Sequence, residues 1–209
     1  MPIKDRTDLT FYIEADRIIS GRSKTTSLQS KIYKILFPDY IEQFMVTLRK
    51  LEYYKNCKPN VKDKFVYILL KKRFNNLSLK LGFSIPLNCF GPGLFIPHWG
   101  TIVVNQNCSV GRYAVLHTST CIAGSGEKKI GDGFYLSSGS ILTGECIVGD
   151  NVTVGAGSYV NLSCVNSFSL VVGAPAQIKK ERKPWYVVDG ESYLKRINII
   201  EELESSLYV

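Results

Sequence analysis

Aliphatic side chains recur every six residues through the second half of this chain. Val104, Val110, Leu116 and Ile122 form one series, and Ile130, Leu136, Leu142, Val148, Val154 and Val160 form another. A period of six matches neither the 3.6 of a helix nor the two of an alternating strand. It fits a solenoid in which three six-residue strand-and-turn units complete one triangular coil, with the aliphatics stacked inward. Gly111, Gly131, Gly149 and Gly155 directly follow ladder positions, where the backbone turns a corner with little room for a side chain. Four residues after most ladder positions stands a small or apolar residue (Cys108, Ala114, Thr120, Ser140, Cys146, Val152, Ser158), with Phe134 the large exception. About twelve hexads between Pro92 and Val165 predict about four coils. Ile122 and Ile130 are separated by eight positions, so two residues within Gly124–Lys129 bulge outward, a common way to build a site on a rigid scaffold.

The region before Ile85 reads differently. Tyr40, Phe44, Leu48 and Leu51 share one helical face, Lys62 to Leu81 is a second amphipathic candidate, and Pro38 and Pro59 punctuate the region. The expected organisation is a helical region over 1–84, the solenoid over 85–180, and a tail with a helix over 181–209. The tail contains Trp185 and a helix-like run from Glu191 to Leu207 and is expected to pack across an assembly.

With 45% hydrophobic residues the chain has ample apolar surface to bury, which argues against disorder. No apolar run approaches the roughly 20 residues that span a bilayer. The polar start, Met1 to Asp8, does not read as a signal peptide, and a cytoplasmic protein is expected. The six cysteines form no C-x-x-C pair and read as reduced thiols. His98 and His117 are the only histidines, which excludes much histidine-based metal chemistry. The net charge of +8 is concentrated in clusters such as Lys62, Lys64, Lys71, Lys72, Arg73 and Lys80. These residues read either as a solvated helical face or as an attraction for an anionic ligand or the inner membrane surface. No nucleic-acid-reading motif is present.

Four segments carry a resemblance: Ile85-Pro86, the run from Gly91 to Val104 containing Ile96-Pro97-His98-Trp99-Gly100, the run from Leu116 to Gly124, and the closing Gly173-Ala174-Pro175-Ala176. Together with the hexads they resemble the left-handed parallel β-helix hexapeptide-repeat acyltransferases, and residues 85–179 resemble the serine acetyltransferase-like branch. The resemblance implies a mainly β protein with helical N- and C-terminal additions. It also implies a homotrimer, able to pair into a dimer of trimers, with sites between subunits. Acetyl-CoA would be the co-substrate and an alcohol the acceptor, with no metal.

An alcohol needs a base to take its proton as it attacks a thioester, and neutral imidazole has suitable basicity. His98 falls on the family's catalytic histidine and is expected at a hexad position that later coils give to aliphatics. His117 is expected at the same corner one coil on, placed to bind the acceptor, acetyl-CoA or the developing oxyanion. Trp99 is either a platform for a sugar ring or a wedge at a subunit interface. By resemblance, Gly124, Ser138 and Ala156 are small residues along which pantetheine lies, and Lys179, Lys180 and Arg182 meet the CoA phosphates.

The pattern departs from serine acetyltransferases in three places. Pro97 stands where they carry Asp, Phe83 stands where they carry an orienting Asp, and Lys128-Lys129 holds the place of their second histidine. These departures favour a neutral polyhydroxyl acceptor, such as a sugar of a cell-surface polysaccharide or its precursor, over L-serine. Serine O-acetylation and an inactive trimeric scaffold remain the alternatives. Glu127 and Glu145 are candidates to orient His98. The γ-type carbonic anhydrases of this fold need three histidines per metal, and two are present.

Overall fold

The computed structural model describes residues 2–22, 33, 35–57 and 60–208, without the side chains of Val61 and Lys62. Pro59 and the Lys62 side chain, named above, therefore lie outside the described residues. Short strands stack into three parallel sheets that form the faces of a prism. The first sheet holds β1 (Phe83–Ser84), β2 (Ile102–Val104), β5 (Thr120–Ile122), β8 (Ile141–Leu142) and β11 (Tyr159–Val160). The second holds β3 (Cys108–Val110), β6 (Lys128–Ile130), β9 (Cys146–Val148) and β12 (Cys164–Val165). The third holds β4 (Val115–Leu116), β7 (Tyr135–Leu136), β10 (Thr153–Val154) and β13 (Ser169–Gly173), and β14 (Ala176–Glu181) closes it antiparallel to β13. Single bridges from Phe90 to Val110 and from Phe95 to Val115 extend the second and third sheets by one coil.

The solenoid has about five turns, not four. The first turn begins at Phe83, before the counted hexads. Its inward positions include Phe83, Phe90 and Leu94, whose aromatic and irregular filling hides the aliphatic period. All ten ladder residues are buried, as the spacing required. The corner glycines are sterically required as well. A Cβ on Gly111 would lie 2.8 Å from the Asp132 nitrogen, and one on Gly131 would lie 2.9 Å from the Asp150 nitrogen. Asp132 and Asp150 tie successive turns together at that corner. The Arg112 N–H donates to Asp132 Oδ1 at 2.7 Å, and the Asp132 N–H donates to Asp150 Oδ1 at 2.8 Å.

Register shows where the chain is longer than its period. Cys108 pairs with Lys128, twenty positions on, whereas Lys128 pairs with Cys146, eighteen on. The two-residue bulge after Ile122 is therefore real. A second one was not foreseen. Phe95 pairs with Val115, twenty positions on, but Ile102 pairs with Thr120, eighteen on. The corner between Ile96 and Ile102 is thus two residues wider than the corner below it. Ile96, only 1% exposed, takes the inward position. The expectation that His98 occupies a ladder position is corrected: the wider corner displaces it outward, and His98 is exposed.

Among the described residues, the helices α1 (Arg6–Ile19), α2 (Tyr40–Asn56) and α3 (Val61–Leu81) precede the prism. Asp39 caps α2, Asn60 and Asp63 form a reciprocal capping box at α3, and Gly82 ends α3 with φ +78°. Phe44, Leu48 and Leu51 are fully buried against the first coil, as their spacing predicts. The amphipathic reading of α3 holds only for its C-terminal half, where Phe74, Leu77 and Leu81 are buried; Phe65, Ile68 and Leu69 are exposed. No helix among the described residues is long and apolar enough to cross a membrane.

Arg49 on α2 locks helices to prism. Its guanidinium is wholly buried, donates to Asp16 and Glu52, and reaches the Phe90 and Gly91 carbonyls at 2.8 Å each. After β14 come α4 (Trp185–Val188) and α5 (Glu191–Leu207). This tail lies along its own protomer. Trp185 is buried among Phe95, Tyr135 and Tyr193, and its Nε1 donates to the Tyr113 carbonyl at 2.9 Å. Arg196 on α5 donates to the Ile19 carbonyl at 2.9 Å.

Candidate active site

The corner between the third and first sheets gathers both histidines. Leu116 donates through its N–H to the Phe95 carbonyl at 3.1 Å, so Leu116 stacks below Ile96 and His117 below Pro97. His98 is therefore one residue further round the corner on the coil above; the sequence count gives an offset of the same size in the opposite sense, because the wider corner carries two more residues than that count allows. It makes no hydrogen bond among the described residues and stands open to solvent beside Trp99, which is 74% exposed.

His117 is half-buried and held. Its Nε2 lies 2.7 Å from the Tyr135 hydroxyl, and the two rings are 5.1 Å apart. Burial lowers the His117 pKa from its ordinary value, the nearby His98 lowers it further, and Asp189 opposes both. The imidazole thus favours its neutral form. Burial raises the Tyr135 pKa, aided by Asp189 and opposed by Arg182. Tyr135 is therefore a neutral phenol whose hydroxyl donates to or accepts from Nε2 according to the histidine tautomer. Tyr135 stands immediately before the ladder residue Leu136 and hence faces outward from the third sheet; that position was the one signal in the sequence that could have found it. Asp189, the carboxylate whose field reaches His117, follows α4 and carries no sequence signal.

Below the histidines the same edge is lined by small residues. Gly139 donates to the Thr118 carbonyl at 3.1 Å and Gly157 to the Ser138 carbonyl at 3.0 Å, so Thr118, Ser138 and Ala156 stack on successive coils. Ser138 and Ala156 are exposed. Such an edge leaves the backbone open to an extended ligand. Gly124 is not part of it. With Glu127 and Glu145 it sits at the corner between the first and second sheets, and Glu127 pairs with Lys129 at 3.1 Å. Within one protomer neither glutamate shares a corner with His98.

Lys128 is turned fully inside the prism between Cys108 and Cys146, and its ammonium donates to the Gly124 and Gly126 carbonyls at 3.0 and 3.2 Å. It pins the bulge from within. Lys179 and Lys180 are exposed on β14, Lys179 where the pairing with β13 shifts register. Arg182 is half-buried, with its Nε buried and without a hydrogen-bond partner. No group of three or more side chains able to hold a metal occurs among the described residues, and the six cysteines are free thiols.

Residues 127–161 match the bacterial transferase hexapeptide family, six repeats. That match lies within the coils that carry Ser138 and Ala156. Solved structures share the fold across most of the chain. Neisseria gonorrhoeae serine acetyltransferase in complex with serine is 22% identical, with a TM-score of 0.60, covering 84% of this chain and 70% of that one. Serine acetyltransferase in complex with coenzyme A from Brucella abortus strain S19 is 20% identical, with a TM-score of 0.55, covering 85% and 68%. The soybean serine acetyltransferase apoenzyme is 18% identical, with a TM-score of 0.60, covering 82% and 69%. At these identities the hexapeptide-repeat likeness is one of fold. No curated protein matches in sequence.

Proposed function

We propose that this hexapeptide-repeat chain is an acetyl-CoA-dependent O-acetyltransferase acting on a hydroxyl of a sugar in a cell-surface polysaccharide or its precursor. One observation carries the reading: two histidines share a prism corner that opens directly onto an edge of small residues, the half-buried Thr118 and the exposed Ser138 and Ala156. That edge suits the narrow pantetheine arm, and acetyl-CoA, when bound, supplies an already activated thioester. Lys179 and Lys180 are exposed cations suited to its phosphates.

His98 is the general base. It takes the proton of the acceptor hydroxyl as the new C–O bond forms and returns it to the departing thiolate as the C–S bond breaks. His117, neutral and fixed by Tyr135, serves as the hydrogen-bonding partner for the acyl oxygen or the acceptor. Pro97 and Phe83 stand where serine acetyltransferases carry Asp, and Phe83 is buried against Phe44 at 5.1 Å, so neither position offers a carboxylate to grip an acceptor ammonium or to complete a dyad with His98. That favours a sugar over L-serine. The open flank of His98 suits completion by a neighbouring protomer in a homotrimer.

Acetyl-CoA turnover, read as thiol release, tests the reading with sugar acceptors and L-serine in parallel. Release with sugars, and a fall of about two orders of magnitude or more in His98→Ala, is the expected result. An unaltered rate in that variant refutes the base assignment. Turnover with L-serine alone makes the protein a serine O-acetyltransferase, a reading favoured by the serine complex among its structural neighbours. No release with any acceptor leaves a scaffold.

A further inference from the structure

A cavity of about 650 Å³ opens beside the histidine corner. Its volume lies within the roughly 300–1,000 Å³ of small-molecule sites. Pro97 and Trp99, the two chain neighbours of His98, form one wall. The rest of the lining comes mainly from the helical region, through Phe37, Tyr40 at the start of α2 and Lys80 at the end of α3. We propose that this cavity is the acceptor subsite and that it takes an anionic pyranose, one bearing a carboxylate or a phosphate, in place of the neutral sugar expected from the sequence. The proposal deepens the acetyl-transfer reading, on which its catalytic meaning rests.

Two features of the cavity select that ligand. First, large ring surfaces are left open inside it. Trp99 is 74% exposed and Phe37 is 63% exposed, and both line the cavity, so each offers an open ring face to the apolar C–H face of a pyranose. L-Serine would leave most of this space unfilled. Second, the charge in the lining does not cancel. Arg22 pairs with Asp39 at 2.6 Å, which neutralises both. Lys80 has no carboxylate partner among the described residues, and its ammonium rests 3.4 Å from the centre of the Tyr40 ring. An anionic group entering the cavity gains a charge-assisted hydrogen bond from Lys80. His98 stands between the lining residues Pro97 and Trp99, so a ring whose anion is anchored at Lys80 would present a free hydroxyl toward it at the cavity's edge.

Binding can be read without any chemistry. Trp185 is only 1% exposed, so a ligand-dependent change in tryptophan fluorescence reports Trp99. The probes are digalacturonate, galactose 1-phosphate and the neutral galactobiose. At least one anionic probe is expected to bind about tenfold or more tightly than galactobiose, and the stronger of the two identifies carboxylate or phosphate as the anion. Lys80→Gln should erase the preference and Lys80→Arg should keep it; Lys80 is exposed, so both variants fold. Equal affinity for neutral and anionic probes, no saturable response to any, or an unchanged preference in Lys80→Gln overturns the proposal. Thiol release with sugars but no anionic preference sinks the subsite and spares the transfer reading. An anionic preference without thiol release does the reverse.

Discussion

Arg49→Met should be among the most damaging single changes in the described part of the molecule. The guanidinium is 0% exposed and makes five hydrogen bonds: to Asp16 Oδ2 at 2.8 Å and Oδ1 at 3.3 Å, to Glu52 Oε2 at 3.0 Å, and to the Phe90 and Gly91 carbonyls at 2.8 Å each. Methionine fills similar volume but leaves two buried carboxylates without a cation. Breaking a buried ion pair from one side costs about 3–5 kcal/mol. At about 2–4 °C per kcal/mol for a chain of this size, the melting temperature falls by roughly 6–20 °C. The loss has a pH signature. Burial already raises the Asp16 pKa, and Arg49 is the main influence opposing it. Without Arg49 that value rises further, so the folded state prefers protonated Asp16. The penalty is therefore greatest at high pH and shrinks as pH falls through the raised value. Thermal melts of both proteins from pH 5 to 8 measure this. A loss below about 1 kcal/mol, or one independent of pH, would refute the argument. The site feels the same change, because Asp16 also accepts from the Leu94 N–H at 2.8 Å, four residues before His98.

Four further outcomes follow from the geometry. Tyr135→Phe keeps the ring against Trp185 but removes the hydroxyl from His117; kcat/KM should fall by about 2- to 10-fold, the worth of one hydrogen bond. His117 has a folded pKa below its ordinary value, so the unfolded chain binds more protons as pH drops. The stability it contributes is complete above about pH 6.5 and is lost as pH falls through the folded value. Melting curves of wild type and His117→Gln should accordingly differ in slope only on the acid side. Gly131→Ala would press a Cβ to 2.9 Å from both the Asp150 nitrogen and the Gly149 carbonyl carbon, and overpacking of that kind costs about 1–3 kcal/mol in urea unfolding. Gly144→Ala meets no atom within 4 Å and should cost only the left-handed backbone strain of φ +79°, about 1–2 kcal/mol.

The prism was legible because its order is local: one inward aliphatic per face, one tight corner per turn, repeated until chance is excluded. What escaped the sequence depends on partners far apart in the chain. Arg49 meets Asp16, 33 positions earlier, and Gly91, 42 later, and no period links them. Lys128 looks like a surface lysine, yet its fate is set by the carbonyls of the bulge it fastens. Tyr135 finds His117 across a gap of 18 residues.

His98 is the instructive case. A strict six-residue count from Val104 puts it on the inner column, where an imidazole would be walled in by aliphatics and out of reach of any acceptor. Two additional residues between Ile96 and Ile102 shift the column to Ile96 and push His98 and Trp99 outward. The irregularity that defeated the count is therefore what makes the histidine available for chemistry. Inner-column positions are committed to packing, so a histidine that the count puts there has room for chemistry only because the period fails; His117 and Tyr135 reach the same corner from outward positions beside Leu116 and Leu136. The two failures differ in what fills them: Lys128 fastens the bulge after Ile122 from inside, while the corner at His98 stays open toward the cavity lined by Trp99 and Lys80.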